Sequence, residues 1–226
     1  MSETNPCPLC GRPLYGWIAL PVASGGATVG MPLGSGSRSE RVIDRCEHCG
    51  VAVEHGRSVD LAAEWAAVDR SQGDGDGAIA LPNRASLQAA IGVEGWAGID
   101  RGPGSLLLTP RSLELLAERT GQEVVSVRTP PTLRAQAWML QTMLNGLTFH
   151  PNFAREVRAG RLRPAGARSR FAFAADAVVT VLGAPLVVLV SVPLELIGAL
   201  ARRGGEMVAG RRRAGNAHGR GGVAST

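Results

Sequence analysis

The chain has 226 residues, 45% of them hydrophobic, enough for one ordinary domain with a small module beside it. All 24 basic residues are arginine, which excludes a Schiff-base lysine and a P-loop lysine together. The formal charge of +5 is concentrated after Arg155, on both sides of an apolar stretch, a distribution that suits a membrane surface better than a DNA groove.

Met1 to Pro8 is polar and carries no secretory signal pattern, so a cytosolic N-terminus is expected. In that compartment paired cysteines are more often metal ligands than disulfides. The pairs come at once: Cys7-Pro-Leu-Cys10-Gly and Cys46-Glu-His-Cys49-Gly share the pattern C-x-x-C-G. Two thiolates three positions apart grip one ion from a tight turn, and the following glycine permits the positive φ that aims backbone N–H groups at sulfur. Two such knuckles joined by a hairpin make a closed tetrahedral zinc site with ligands Cys7, Cys10, Cys46 and Cys49, structural because no position stays open for water. His48 lies between ligands, but a complete set needs no fifth. Leu14 to Pro21 reads as a strand, Ser24 to Ser39 as a Gly/Ser-rich loop, and Arg41 to Arg45 as the return strand. Residues 1–56 are therefore expected to form a zinc ribbon.

Residues 57–160 carry an α/β pattern. A short helix is expected over Val59 to Val68, followed by the polar turn Ser71 to Gly77 and an apolar strand at Ala78 to Leu81. Ser86 to Ile91 is a second short helix. Thr109 to Thr120 is the best-marked one: Thr109 is an N-cap, Pro110 occupies the first helical position, Leu113, Leu116 and Ala117 form an apolar stripe, and Gly121 stands where a C-terminal glycine belongs. Glu123 to Thr129 is a strand packed beside it. His55, His150 and His218 are isolated and read as surface or turn residues.

Residues 161–205 combine a basic segment with an apolar run from Phe171 to Leu200. Ala177 to Leu194 holds no charge, and eighteen helical residues reach about 27 Å, the lower edge of a bilayer core. Pro185 interrupts the middle and Pro193 the end, and arginines flank both sides. Those features predict a helix–Pro–helix hairpin dipping into the inner leaflet, with both ends cytoplasmic and with Asp176 and Glu195 at its wet ends. A single span, or a buried or dimeric helix, is the other way to cover such a surface. Residues 206–226 hold a last short strand, Glu206 to Ala209, and an Arg/Gly tail expected to be disordered.

Several stretches together resemble bacterial class I S-adenosylmethionine-dependent methyltransferases of the envelope glycan and lipid setting that carry an N-terminal zinc ribbon. They are the two knuckles, Leu81-Pro-Asn-Arg-Ala-Ser-Leu-Gln-Ala, Leu108 to Val125, and Trp138 with Leu140-Gln-Thr and Leu144-Asn. The Arg, Ala and Gly bias without lysine is that of a GC-rich bacterium. The cofactor half of such a fold is missing: about thirty residues separate Cys49 from Pro82, the length of roughly one βαβ unit. Gly73-Asp-Gly-Asp-Gly77 spells G-x-G-x-G but has no strand before it and no helix after it. Ser105 to Leu108 supply no titratable group where the family often has a histidine. The resemblance implies an α+β architecture, an α/β remnant: a zinc ribbon, a partial methyltransferase-like sheet with helices, and the apolar hairpin.

The expected function is a non-catalytic, membrane-associated accessory or scaffold in envelope biosynthesis. It would have no catalytic or S-adenosylmethionine-binding residues, zinc as its cofactor, and the inner-membrane surface and a protein enzyme as partners. An active methyltransferase with an atypical cofactor site is the alternative. A nucleic-acid-binding ribbon is the third. Against it, Arg12, Arg38, Arg41 and Arg45 face Glu40, Asp44 and Glu47, and only Tyr15 and Trp17 are aromatic, so no nucleic acid is expected.

Overall fold

The computed structural model describes residues 5–21, 40–70, 78–99, 102–164 and 167–211. The Ser24–Ser39 loop, the Gly73–Gly77 turn, His218 and the Arg/Gly tail lie outside the described residues. The chain is mixed α+β, with two small antiparallel sheets and a long apolar helix.

The first sheet joins β1 (Tyr15–Pro21), β2 (Glu40–Arg45) and β3 (Ala52–Glu54) in that order. Its first pairing contains a bulge: Gly16 faces Asp44 and Ile18 faces Ile43, so Trp17 is the extra residue. The second sheet has β4 (Ile79–Pro82) and β5 (Val124–Arg128) on either side of β6 (Glu206–Arg211), which runs antiparallel to both. A single backbone bridge between Ala52 and Leu107 ties the first sheet to the segment before the best-marked helix.

Four helices follow local signals. Helix α1 (Leu61–Arg70) starts two residues later than expected because Asp60 caps it, accepting from Ala62 N at 2.9 Å and Ala63 N at 3.3 Å. Helix α2 (Leu87–Gly92) is capped by Ser86. Helix α3 (Pro110–Arg119) has a reciprocal cap: Ser112 N donates to Thr109 Oγ1, and Thr109 N donates to Ser112 Oγ. Its stripe residues Leu113, Leu116 and Ala117 are buried. Helix α4 (Leu133–Asn145) is capped by Thr132. The short helix α5 (Phe153–Arg158) and strand β3 carry no comparable sequence signal.

The C-terminal helix departs from expectation. Instead of a hairpin broken at proline, α6 is one continuous helix, Ala167–Leu200, with Pro185 and Pro193 inside it. Each proline removes one backbone donor, but both rings sit on the exposed side, and Asp176 before Pro185 and Val187 and Ser191 after it are buried on one helix face, so the body holds that face on either side of the expected break. Asp176 and Glu195 are not wet ends: they are 0% and 2% exposed. His150 does lie in a bend, after α4, but it is not at the surface: it is buried against Asp176.

One core runs through the molecule. Cys7, Leu9, Cys46, Cys49 and Val51 of the N-terminal segment pack in the same cluster as Ile79, Leu81, Leu113, Leu116, Met207 and Ala209. A second cluster gathers Ile18, Ile43, Ala89, Trp96 and Leu107, with Trp17 at its margin.

Candidate metal centre and exposed helix face

Each knuckle is a turn whose first cysteine carbonyl accepts from the glycine: Gly11 N to Cys7 O at 2.9 Å, and Gly50 N to Cys46 O at 2.9 Å. Both glycines have left-handed backbones, φ +71° and +78°. The strands β1 and β2 run antiparallel and so bring the two turns together. Every pair of the four Sγ atoms lies within 4.8 Å, with Cys7 to Cys49 at 3.6 Å and Cys10 to Cys46 at 3.5 Å. Around a tetrahedral zinc with Zn–S near 2.3 Å, sulfurs stand about 3.8 Å apart, so these separations suit that ion. None of the four is in a disulfide. Cys7, Cys46 and Cys49 are buried, and Cys10 is half-buried.

The electrostatics favour a cation. Cys7 is pulled down to about 5, chiefly by its hydrogen-bond contact with the Cys49 sulfur and further by backbone N–H groups of Cys10 and Leu9, against the effect of burial. Cys49 is pushed up by the same contact and by burial. Sulfurs that share protons this closely are a donor set for a soft dication, which replaces the protons. The residues present fit one zinc. His48 stands outside the cluster, exposed, with Nε2 3.1 Å from an Arg111 guanidinium nitrogen.

The site is tied to α3. Thr109 Oγ1 donates to Cys49 O at 2.9 Å, and a Cβ on Gly50 would lie 2.8 Å from Thr109 Cγ2. The knuckle glycine and the helix cap are each legible in the sequence, but nothing there says that they touch.

The second feature is α6, whose polarity is inverted. The face against the body carries Ala172, Asp176, Val187, Ser191, Glu195 and Gly198, all buried. Asp176 accepts from Phe149 N at 2.7 Å and His150 N at 3.0 Å, and lies 2.6 Å from His150 Nδ1. Gln136 Nε2 donates to Ser191 Oγ at 2.7 Å. Glu195 accepts from Gln88 Nε2 at 2.6 Å and Gly205 N at 2.9 Å. The opposite face is apolar and open: Phe171 is 74% exposed, Leu182 74%, Leu186 65% and Leu189 71%. Ser169–Leu200 is long and apolar enough to cross a membrane, and only 11% of its most apolar window is buried.

Among the other expected residues, His55 is in a turn with Nδ1 2.6 Å from Asp44 Oδ2. Ser105 is engaged by Glu64, which accepts from the backbone N–H groups of Ser105 and Leu106 and from the Ser105 hydroxyl. Comparison of the chain with family models, with curated proteins and with solved structures returned no match.

Proposed function

We propose that this chain is a non-catalytic zinc-ribbon protein that lies on the cytoplasmic face of a bacterial membrane through the outer face of α6. There it serves as an accessory or scaffold for envelope-biosynthesis enzymes. The observation that carries the membrane reading is the inversion of α6: its hydrogen-bonding groups point into the body while most of its leucines and valines point out. A water-exposed helix is expected to show the opposite pattern. An apolar face of this size needs lipid or protein against it.

We read the helix as lying in the membrane plane rather than crossing it. It is about 51 Å long, and its polar contacts run from Asp176 to Glu195. A perpendicular span would draw Gln136, Gln88 and the neighbouring Arg134 into hydrocarbon, which is costly for polar groups. In-plane helices of this kind bury one face at the headgroup boundary. Arg170 before the apolar run and Arg202 and Arg203 after it suit anionic headgroups, and arginine flanks on both sides support the cytoplasmic side.

Zinc, held by Cys7, Cys10, Cys46 and Cys49, would stabilise a segment too small to hold itself by burial. The methyltransferase-like remnant is the finer reading. The order of late helix, strand, apolar insertion and returning strand supports it, as do the resembling stretches. The envelope setting rests on that resemblance. The absent glycine turn argues for a scaffold over an enzyme.

The test is flotation of the full-length protein with vesicles at high salt. Co-flotation that survives salt, and is lost when 177–194 is deleted, is expected. A monomer that stays in solution without lipid or detergent overturns the membrane reading.

A further inference from the structure

The turn between β4 and α2 displays an arginine, Arg84, whose charge no carboxylate among the described residues neutralises. Asn83 is fully buried and holds the turn rigid: its Nδ2 donates to Gly204 O at 2.9 Å, and its Oδ1 accepts from Ala85 N at 2.9 Å. Arg84 N donates to Leu108 O at 2.9 Å, so the backbone at this position is pinned. Its guanidinium carbon lies 4.2 Å from the centroid of the Trp17 ring. Trp17 is the extra residue of the β1 bulge, the device that re-aims a strand side chain.

The guanidinium has no carboxylate partner among the described residues, and its Nε is closed off from solvent with no hydrogen bond. Burial pushes Arg84 down to about 10, and the positive charge of Arg45 adds to the effect. It remains a cation at neutral pH. Arg45 ends β2 opposite Tyr15, two residues from Trp17, and is only loosely paired, 3.6 Å from Glu47. Arg84 on the Trp17 ring with no carboxylate among the described residues, and Arg45 near enough for its charge to act on Arg84 and held only by the 3.6 Å contact to Glu47, leave a positive site that an oxyanion would complete. A planar guanidinium stacked on an indole keeps its N–H fork in a fixed plane, the geometry that recognises phosphate.

We propose that Arg84, seated on Trp17 and assisted by Arg45, binds a phosphate group. Its source is either an anionic lipid headgroup or a soluble phosphorylated molecule. The site is separate from the four cysteines, which are closed, and from the apolar face of α6, which carries no charge.

The experiment uses the zinc-loaded full-length chain in mild detergent, titrated with pyrophosphate by calorimetry. Flotation with phosphatidylglycerol and with phosphatidylcholine vesicles runs in parallel. Wild type is expected to bind pyrophosphate with an affinity that falls as salt rises. Arg84→Gln should weaken it by about tenfold or more, since a charge-assisted contact is lost. Arg84→Lys, which keeps the charge but loses the fork, should also weaken it and guards against a folding defect. Arg119→Gln, on the exposed end of α3, is the control and should bind as wild type does.

If Arg84→Gln also reduces flotation with phosphatidylglycerol but not with phosphatidylcholine, the phosphate is a headgroup. If only pyrophosphate binding falls, it belongs to a soluble molecule. Absence of pyrophosphate binding by wild type, or equal binding by Arg84→Gln and Arg45→Gln, overturns the site. Failure of wild type to float with either vesicle refutes the role of α6 and leaves the calorimetric result standing by itself.

Discussion

Replacing Leu182, Leu186 and Leu189 together by glutamine tests the outer face of α6 without touching its inner one. These side chains are 74%, 65% and 71% exposed, so the body loses almost no packing when they change. Full burial of a leucine is worth roughly 1.5–3 kcal/mol, so burying the exposed portion of each, about two-thirds, in lipid contributes about 1–2 kcal/mol. Three such positions give about 3–6 kcal/mol, which corresponds to a loss of roughly a hundredfold to ten-thousandfold in vesicle partitioning. The assay is vesicle co-sedimentation across lipid concentration, with the melting temperature in detergent as a control for folding. The triple variant should partition far more weakly and melt as wild type does. Partitioning equal to wild type would show that this face does not meet lipid. Conversion of a lipid-free wild-type dimer into a monomer would instead assign the face to self-association.

Purified protein should carry one zinc per chain by elemental analysis, and Cys46→Ser should lose it. Zinc binding in small ribbons contributes roughly 10–16 kcal/mol, and the cysteines share a core with Leu113 and Met207, so chelation should lower the melting temperature of the whole chain. Gly50→Ala should destabilise more than Gly11→Ala, because both strain a positive φ but only Gly50 faces Thr109; overpacking of that kind costs about 1–3 kcal/mol, and equal denaturant midpoints would refute the contact. Asp176→Ala leaves the Phe149 and His150 backbone donors without their acceptor and removes the carboxylate beside the His150 ring, and should cost about 3 kcal/mol or more in chemical unfolding; a loss below about 1 kcal/mol would show that α6 is not held there.

What could be read without coordinates was local. The C-x-x-C-G spacing contains its own turn geometry, so four candidate ligands were legible from two pentapeptides. Thr109-Pro110 with Gly121 marked α3 at both ends, because capping depends on neighbours within one helical turn. Arginine flanks and an uncharged run marked the apolar segment by composition alone. The path of that segment was not local. Proline at 185 argues for a break when a helix is considered by itself, yet α6 stays continuous, because Val187 and Ser191 pack against the body through the region where a free helix would bend. By sequence alone Asp176 and Glu195 read as the edges of a hydrophobic insert, because charge avoids apolar surroundings; their partners, Phe149 N, His150, Gln88 and Gly205 N, come from chain positions no periodicity connects to them. The pairing of Gly50 with Thr109 and of Arg84 with Trp17 is likewise a matter of which surfaces meet. Backbone propensity and spacing act over a few residues, whereas burial and hydrogen-bond satisfaction are settled between segments far apart in the chain, and only the tertiary structure decides those.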